Sequence, residues 1–396
     1  MSSGADREGS MILTLNAGSS SIKFSVYRST EGEPDCRAVG QVENLGPAAR
    51  LQIKTGSERE THEIGAADHG VALRAILRAA APVFAGSDVA AVGHRIAHGG
   101  VDFTEPRTLD PDTLAALTAL EPLAPLHQPH NLAAVHAAQA AFPDALQFGC
   151  FDTSFHRGHP WVNDTFALPR QFYEAGVRRY GFHGLSYEYV TGHLADTAPE
   201  LAAGRVVICH LGNGASMCAV RAGKSVASTM GFSALDGLPM GTRCGQLDPG
   251  VLLYLMDQRR MSAAEITALL YKESGLKGLS GISHDMRTLE GSDAPEAAQA
   301  IDYFVFRIRR EIGAMVATLR GIDALVFCGG IGENSATIRA RICTDMAWLG
   351  IEIDPSLNAR NADSIAATAT ATAVRVVRTD EERVIARAAA CALAAE

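Results

Sequence analysis

Two small polar turns, each set between two apolar runs, carry residue types that can hold phosphate oxygens. The first runs from Asn16 to Ser21 with Lys23 just behind it, and the second runs from Gly212 to Ser216. Asparagine, glycine and serine expose backbone N–H groups and hydroxyls together, and such groups of donors bind anions. The same residues also make ordinary β-hairpin turns, and for one turn alone both interpretations stay open. Because the plan occurs twice, phosphate binding is favoured.

A third candidate anion site lies where the apolar run Ala324–Cys328 meets the glycine-rich segment Gly329–Ser335. We expect the run to be a strand and the segment to be a turn before a helix that begins near Ala336. A helix N-terminus presents free N–H groups and the positive end of its dipole, and both attract anions.

Two arginines stand beside glycines and could act on an anionic substrate. Arg95 follows the apolar run that begins at Val89, and Arg243 ends the segment Met240–Arg243. A planar guanidinium can hold a carboxylate or a trigonal phosphoryl group with two parallel hydrogen bonds. For a single arginine, a surface ion pair is the commoner outcome.

The elements that must position these residues alternate between strands and helices, which predicts an α/β fold. Hydrophobic periodicity predicts hairpins over 11–27 and 205–220, further antiparallel strands up to residue 64, and an irregular segment over 153–180 that contains a domain junction. It also predicts strands over 89–100, 145–152, 324–328 and 374–377. The predicted helices cover 68–81, 111–121, 130–142, 185–195, 248–260, 262–272 and 294–319, and a last helix, capped by residues 379–382, ends at 394.

Composition limits the class of protein. The 396 residues are 47% hydrophobic and 20% charged, which is ordinary for two or three globular domains. The formal net charge of −9 argues against a nucleic-acid partner, since binding a phosphate backbone needs a concentrated cationic surface.

The polar start and the absence of long apolar runs predict a cytoplasmic protein with a disordered extension over residues 1–10. No run approaches the ~20 apolar residues that span a bilayer, and no signal-peptide core is present. The eight cysteines form no Cys-x-x-Cys pair, which favours small buried side chains in a reducing compartment.

Four segments together resemble the acetate kinase family, whose neighbours are the propionate and butyrate kinases. The resemblance runs from about Ile12 to the C-terminal helix and rests on Asn16–Lys23, Gly181–Gly184, His210–Ser216 and Met240–Arg243. It implies two duplicated actin-like (ribonuclease H-like) α/β domains that face a central nucleotide cleft. The first would be 11–155 with helix 383–396, and the second 156–382.

The resemblance also implies the reactants and the assembly. The substrates would be ATP or ADP with acetate or acetyl phosphate, and the ion Mg²⁺, with Mn²⁺ as a substitute. The expected partners are a second copy of the chain in a homodimer, with no nucleic acid and no membrane.

Four residues match the family's catalytic positions: Asp152, Arg95, Arg243 and His183. The arginines would neutralise the moving phosphoryl group, His183 would hydrogen-bond it, and Asp152 would act on the acyl substrate or organise magnesium. Outside this motif, His183 would more simply be a core histidine and Asp152 a helix or turn cap.

The family also supplies metal and nucleotide positions. Asn16 and Glu381 match the magnesium residues, although Glu381 alone would pass for an acid that stabilises a helix N-terminus. The implied nucleotide-binding residues are Lys23, His210, Leu211, Gly212, Asn213, Gly214, Asp285, Met286, Arg287, Gly330, Ile331, Gly332, Glu333 and Asn334. The pairs His127 with His130 and His156 with His159 have metal-ligand spacing, but no further ligands cluster with them, so no zinc site is expected.

The implied acyl-substrate residues are Arg95, Ala97, Leu126, Phe182 and Ala234. Many family members carry valine at the position of Ala97 and proline at that of Ala234. Smaller side chains imply a larger methyl pocket, so propionate stays open as an alternative to acetate.

Two other functions stay open on the residues alone. A sugar kinase would use Asp152 as the base that deprotonates a hydroxyl, and a non-catalytic actin-like switch would use ATP to drive domain closure. The pair of arginines favours an anionic acceptor over a sugar.

Overall fold

The computed structural model describes residues 9–18, 21–125, 127–368 and 370–395. It divides the chain into two compact units. The first contains the residues up to Ser154 and those from Asp380 onward, and the second contains Phe155–Thr379. Each unit has its own β-sheet and its own hydrophobic core.

Thirteen strands are present in the described residues, and eight of them belong to the first unit. They are β1 Met11–Ala17, β2 Ile22–Arg28, β3 Asp35–Glu43, β4 Gly46–Thr55, β5 Glu58–Ala67, β6 Val89–Ile96, β7 Arg107–Thr108, β8 Leu146–Phe151, β9 Arg205–Leu211, β10 Ala215–Arg221, β11 Lys224–Ser228, β12 Ala324–Cys328 and β13 Ala373–Val376.

The helices vary from single turns to the 25-residue α12. They are α1 His69–Phe84, α2 Pro111–Ala119, α3 Gln128–Ala141, α4 Trp161–Asp164, α5 Arg170–Glu174, α6 Gly184–Thr197, α7 Pro199–Ala202, α8 Pro249–Asp257, α9 Ala263–Lys272, α10 Gly275–Ser280, α11 Met286–Glu290, α12 Pro295–Leu319, α13 Gly329–Asn334, α14 Ala336–Cys343, α15 Pro355–Ala359 and α16 Glu381–Ala395, with 3₁₀ turns at Glu121–Leu123, Ser154–His156 and Ala347–Leu349.

The sheet of the first unit has the strand order β5-β4-β3-β2-β1-β6-β8-β7. Strand β1 pairs antiparallel with β2 and parallel with β6, and β6 pairs parallel with β8. Because side chains alternate along a strand, Leu13 faces the core that includes α1 and α3, while Ile12 packs against Ala386 and Ala389 of α16. A Cβ on Gly93 would collide with Ile385, so this glycine lets α16 approach β6 closely.

The sheet of the second unit has the order β11-β10-β9-β12-β13. Strands β9 and β10 form the predicted hairpin, and β12 pairs parallel with both β9 and β13. Helix α12 packs on this sheet through Phe304, Ile308 and Ile312, all of which are fully buried.

Most predicted elements are confirmed within a few residues, including both hairpins. Residues 161–164 and 170–174 are short helices inside the segment expected to be irregular. The glycine-rich segment expected to be a turn is the helix α13, and the carboxylate of Glu333 accepts a hydrogen bond from the N–H of Gly329 at its start (3.0 Å). That N–H therefore binds the Glu333 side chain and is not available to a bound anion.

The boundaries of the two units differ by a few residues from the predicted domain boundaries. Gly9 and Ser10 pair with the backbone of Ser29, whereas a disordered extension was expected over 1–10, and residues 1–8 lie outside the described residues. The second predicted domain extended to residue 382, but Asp380–Glu382 belong to the first unit, because Glu381 begins α16 and bonds Asn16.

The cysteines are buried at five positions, half-buried at Cys244, and exposed at Cys36 and Cys391, where burial was expected. Among the described residues, no helix combines the length and the apolar character that crossing a membrane requires.

Candidate active site

Arg95 is the centre of a polar cluster in the first unit. It lies near the end of β6, and Asp152 directly follows the neighbouring parallel strand β8, so the two side chains emerge at the same edge of the sheet. The guanidinium donates from Nε to Asp152 Oδ1 (3.0 Å) and from Nη2 to Asp152 Oδ2 (2.5 Å). Its Nη1 donates to Asn16 Oδ1 (3.0 Å).

The charges of this cluster stabilise one another. Burial lowers the pKa of Arg95, but the carboxylates of Asp152 and Glu381 raise that pKa by more, so the guanidinium stays charged. Asp152 itself is 1% exposed. A buried carboxylate needs such a partner, because an unpaired buried charge is strongly unfavourable.

Asn16 contacts the first residue of α16. The Asn16 amide donates from Nδ2 to Glu381 Oε2 (3.2 Å), and Glu381 lies 4.0 Å from Arg95 Nε. The next residue, Glu382, has a buried Oε1 without a hydrogen-bond partner among the described residues. Burial and the neighbouring Glu381 raise the pKa of Glu382, and Lys23 opposes this effect.

Three further residues of the first unit were predicted to bind the nucleotide or the acyl substrate, and they are Lys23, Ala97 and Leu126. Lys23 lies in β2 and lines, with Glu382, a cavity of about 330 Å³. Ala97 is buried after β6, and its N–H donates to Asn131 Oδ1 (2.8 Å). Leu126 lies outside the described residues.

His183 is held in an unusual backbone conformation in the second unit. Its φ of 58° and ψ of 25° are left-handed, which few residues other than glycine adopt. Residues His210 and Ser216 are cross-strand partners in the hairpin, and His183 meets both of them. Its ring stacks on His210 with centroids 4.3 Å apart, and its Nδ1 lies 2.8 Å from Ser216 Oγ.

Arg243 and His183 converge on Gly214. A Cβ built on Gly214 would lie 3.1 Å from Arg243 Nη2 and 3.2 Å from His183 Nε2, so a larger residue there would displace one of the two. Arg243 also donates from Nη1 to the carbonyl of Ala234 (2.7 Å). The loop of Arg243 is tied to the turn after β9, because the N–H of Gly241 donates to the carbonyl of Asn213 (3.0 Å).

A cavity of about 530 Å³ lies in the second unit. Most of its wall comes from predicted nucleotide-binding residues, which are Gly212, Asn213, Asp285, Met286, Arg287, Gly330, Ile331 and Asn334. His284, Glu290 and Ser335 also line the cavity and were not predicted from the sequence. The positions of His284 and Ser335 beside predicted residues, and of Glu290 one helical turn after Met286, could have identified them.

Five predicted nucleotide-binding residues of the second unit do not line this cavity. The Nδ1 atom of His210 lies 2.8 Å from Ser186 Oγ, Leu211 lies in the hydrophobic core, and Gly214 lies beside Arg243. The carbonyl of Gly332 accepts a hydrogen bond from Arg339 Nη1 (2.8 Å). The carboxylate of Glu333 accepts from the N–H groups of Gly329 and Thr379. Gly332 and Glu333 thus hold the backbone of α13 in place.

The two predicted acyl-substrate residues of the second unit lie beside His183 and Arg243. Phe182 is buried in the core and precedes His183, and Ala234 binds Arg243 through its carbonyl. The histidine pairs have other partners: His156 and His159 both meet Ser225 Oγ, and His130 stacks on His69. Within the described part of the chain, no three His, Cys, Asp or Glu side chains group as a metal site of their own.

The second unit holds a cavity of about 530 Å³ and an arginine beside a histidine, and the first unit holds a buried arginine–carboxylate pair. In an α/β protein such groups are typical of a phosphotransferase, whose reaction depends on positioning and charge neutralisation. The chain belongs to the acetokinase family, whose model matches residues 11–387.

Relatives and solved structures agree with this family. The chain is 56% identical over 388 residues to an acetate kinase of Methylocella silvestris, covering 95% of this chain and 96% of the relative. The crystal structure of Porphyromonas gingivalis acetate kinase matches with a TM-score of 0.85 and 37% identity, covering 96% and 98% of the two chains. A propionate kinase from Francisella tularensis matches with a TM-score of 0.90 and 33% identity, over the same shares. The predicted family and the predicted α/β fold class are therefore confirmed.

Proposed function

We propose that the protein catalyses the reversible transfer of the γ-phosphoryl group of ATP to acetate, giving acetyl phosphate and ADP. The observation that carries this proposal is the 56% identity to an acetate kinase over 95% of the chain. The side-chain chemistry supports it, because Arg95 and Arg243 suit an anionic acceptor and a phosphoryl group.

The reaction asks for alignment more than for proton transfer. The acetate carboxylate is already ionised at neutral pH, so its oxygen can attack the γ-phosphorus while the bond to the β-phosphate oxygen breaks and ADP leaves. We assign Arg243 and His183 to the charge on the moving phosphoryl group, since their nitrogens converge at Gly214. We assign Arg95 to the acetate carboxylate, which would exchange with Asp152 as its hydrogen-bond partner.

Members of the family use a divalent ion, and we propose Mg²⁺ held through Asn16 and Glu381. Their carbonyl and carboxylate oxygens are the hard ligands that Mg²⁺ prefers, and the two side chains are in contact, with Asn16 Nδ2 at 3.2 Å from Glu381 Oε2. Magnesium is bound in such sites by one or two carboxylates with phosphates and waters, so the protein need supply few ligands. When bound, the ion neutralises charge on the nucleotide phosphates; Mn²⁺ as a substitute stays a prediction.

Trapping acetyl phosphate with hydroxylamine separates the candidate functions. Purified protein with ATP and Mg²⁺ is offered acetate, propionate, glucose or no acceptor, and ADP and acyl hydroxamate are both measured. We expect hydroxamate only with the carboxylic acids. ADP formation with glucose would indicate a sugar kinase, and ATP binding without turnover would indicate a nucleotide switch.

The acid that is used depends on the predicted methyl pocket. Each buried methylene is worth about 0.8 kcal/mol, so the wild type should discriminate between acetate and propionate by no more than about tenfold in kcat/KM. Ala97→Val should raise the ratio of kcat/KM for acetate over propionate by about fourfold, because it removes space for one methylene. If the ratio is the same in both proteins, Ala97 does not line the pocket.

We further propose a homodimer that works in the cytoplasm, and the support for the dimer is an apolar surface of the second unit. No residue of α8 is buried in the described structure, and Leu253 and Tyr254 are 62% and 52% exposed. Large apolar patches of this kind commonly mark interfaces.

Leu253→Glu should shift the protein from dimer to monomer in analytical ultracentrifugation, since a charge would be buried in the interface. Val162→Glu is the matched control: Val162 is 71% exposed, and its substitution should leave the sedimentation coefficient unchanged. A wild-type protein that sediments as a monomer at micromolar concentration would refute the dimer.

A further inference from the structure

We propose that His156 is a positioning residue for phosphoryl transfer: its imidazole fixes the peptide plane between Phe182 and His183 and so holds His183 in the left-handed conformation. This inference rests on the proposed role of His183. It concerns a residue that has no place in the candidate active site described above.

The ring of His156 is fully buried against the backbone that precedes His183. Its Nε2 lies 3.0 Å from the carbonyl oxygen of Phe182. A Cβ built on Gly181 would lie 2.5 Å from Cδ2 of the same ring, so ring and loop backbone are in direct contact. Tyr187 packs against the ring in a T-shaped arrangement at a centroid distance of 5.6 Å.

The contacted carbonyl is the one that controls His183. The C=O of Phe182 and the N–H of His183 share one planar peptide group, and the φ of His183 is the rotation about the bond that follows this plane. A left-handed φ of 58° is unfavourable for histidine and persists only where the surroundings enforce it. A hydrogen bond to the carbonyl holds the plane, and with it the ring that meets Ser216 and His210.

The hydrogen-bond partners of His156 and His159 determine which ring nitrogen of each carries the proton. Because a carbonyl oxygen only accepts, His156 must carry its proton on Nε2, and its Nδ1 accepts from the Ser225 hydroxyl at 2.8 Å. His159 Nε2 lies 2.7 Å from the same hydroxyl and donates to it. Burial lowers the pKa of His156 well below its usual range and that of His159 to about 4, so both rings are neutral at neutral pH.

Two amide substitutions test whether the side chain at position 156 must donate a hydrogen bond to the Phe182 carbonyl or need only fill the space. In His156→Gln the amide nitrogen takes the place of Nε2 and can still donate to Phe182, whereas in His156→Asn it takes the place of Nδ1 and cannot reach. We expect His156→Asn to lower kcat by about 30-fold or more, with the Kd for ADP within twofold of wild type. His156→Gln should recover kcat to within about threefold of wild type, and His62→Asn, an exposed histidine in the first unit, is the control.

Equal losses of kcat in the Asn and Gln variants, or full activity of His156→Asn, would overturn the proposal. If neither variant folds, ¹⁵N-detected NMR of the wild-type protein decides: the Nε2–H tautomer of His156 is expected, and the Nδ1–H tautomer would overturn it. Failure of the proposed function is distinguishable, since then the wild type makes no acetyl phosphate. An inactive His183→Ala beside a fully active His156→Asn would refute only the positioning role.

Discussion

Replacing Arg95 by alanine is expected to lower kcat for acetyl phosphate synthesis by about 10²- to 10³-fold, the loss typical when one donor to developing charge is removed. The variant should also unfold more readily. It leaves the buried carboxylate of Asp152 without its three hydrogen bonds from the guanidinium, and breaking a buried pair by removing one partner costs about 3–5 kcal/mol.

Two further variants distinguish these effects. Arg95→Lys keeps the charge but cannot bind Asp152 and Asn16 from one planar group, so it should regain stability more than activity. Arg170→Ala removes an arginine whose side chain is 75% exposed and should match the wild type in both measurements. Steady-state kinetics and urea unfolding give both numbers, and normal turnover of Arg95→Ala at saturating acetate would exclude Arg95 from the chemistry.

Replacing Arg243 by alanine is expected to lower kcat by about 10²- to 10³-fold while the affinity for ADP changes less than about threefold. Arg243 meets His183 at Gly214 and does not line the cavity of about 530 Å³ in the second unit, where we propose that the nucleotide binds. Its loss should therefore slow phosphoryl transfer and hardly weaken the binding of ADP.

Isothermal titration with ADP, combined with kcat at saturating substrates, tests this separation. His183→Ala should resemble Arg243→Ala in both measurements, because the two side chains act at one place. A large loss of ADP affinity with unchanged kcat would assign Arg243 to nucleotide binding instead.

The local pattern of the sequence was sufficient for the elements but not for the contacts between them. Two apolar runs joined by a small polar turn predict the hairpins at Asn16 and Gly212, and the structure has both. Strand order is a different matter: Arg95 meets Asp152 only because β6 and β8 are parallel neighbours, and Asn16 meets Glu381 across 365 residues. No periodicity within either segment encodes those pairings.

At α13 the prediction differed from the structure because side-chain hydrogen bonds overrode a local preference. Glycines at 329 and 330 favour a turn over a helix, but Glu333 binds the backbone N–H groups of Gly329 and Thr379 and stabilises α13. His156 and His159 have the spacing of metal ligands, and no zinc site was expected there; what their spacing could not show is that both bind Ser225, a residue 66 to 69 positions away. Recognising the role of His156 required the conformation of His183, which no sequence pattern shows.

The central claim is that a carboxylate oxygen of acetate attacks the γ-phosphorus of ATP. Phosphorus-31 NMR of the protein with ATP, Mg²⁺ and acetate labelled with ¹⁸O in its carboxyl group tests it most directly. Our account predicts ADP together with acetyl phosphate whose phosphorus resonance carries the isotope shift of a bridging ¹⁸O. Inorganic phosphate as the sole new resonance, or acetyl phosphate without that shift, would contradict it.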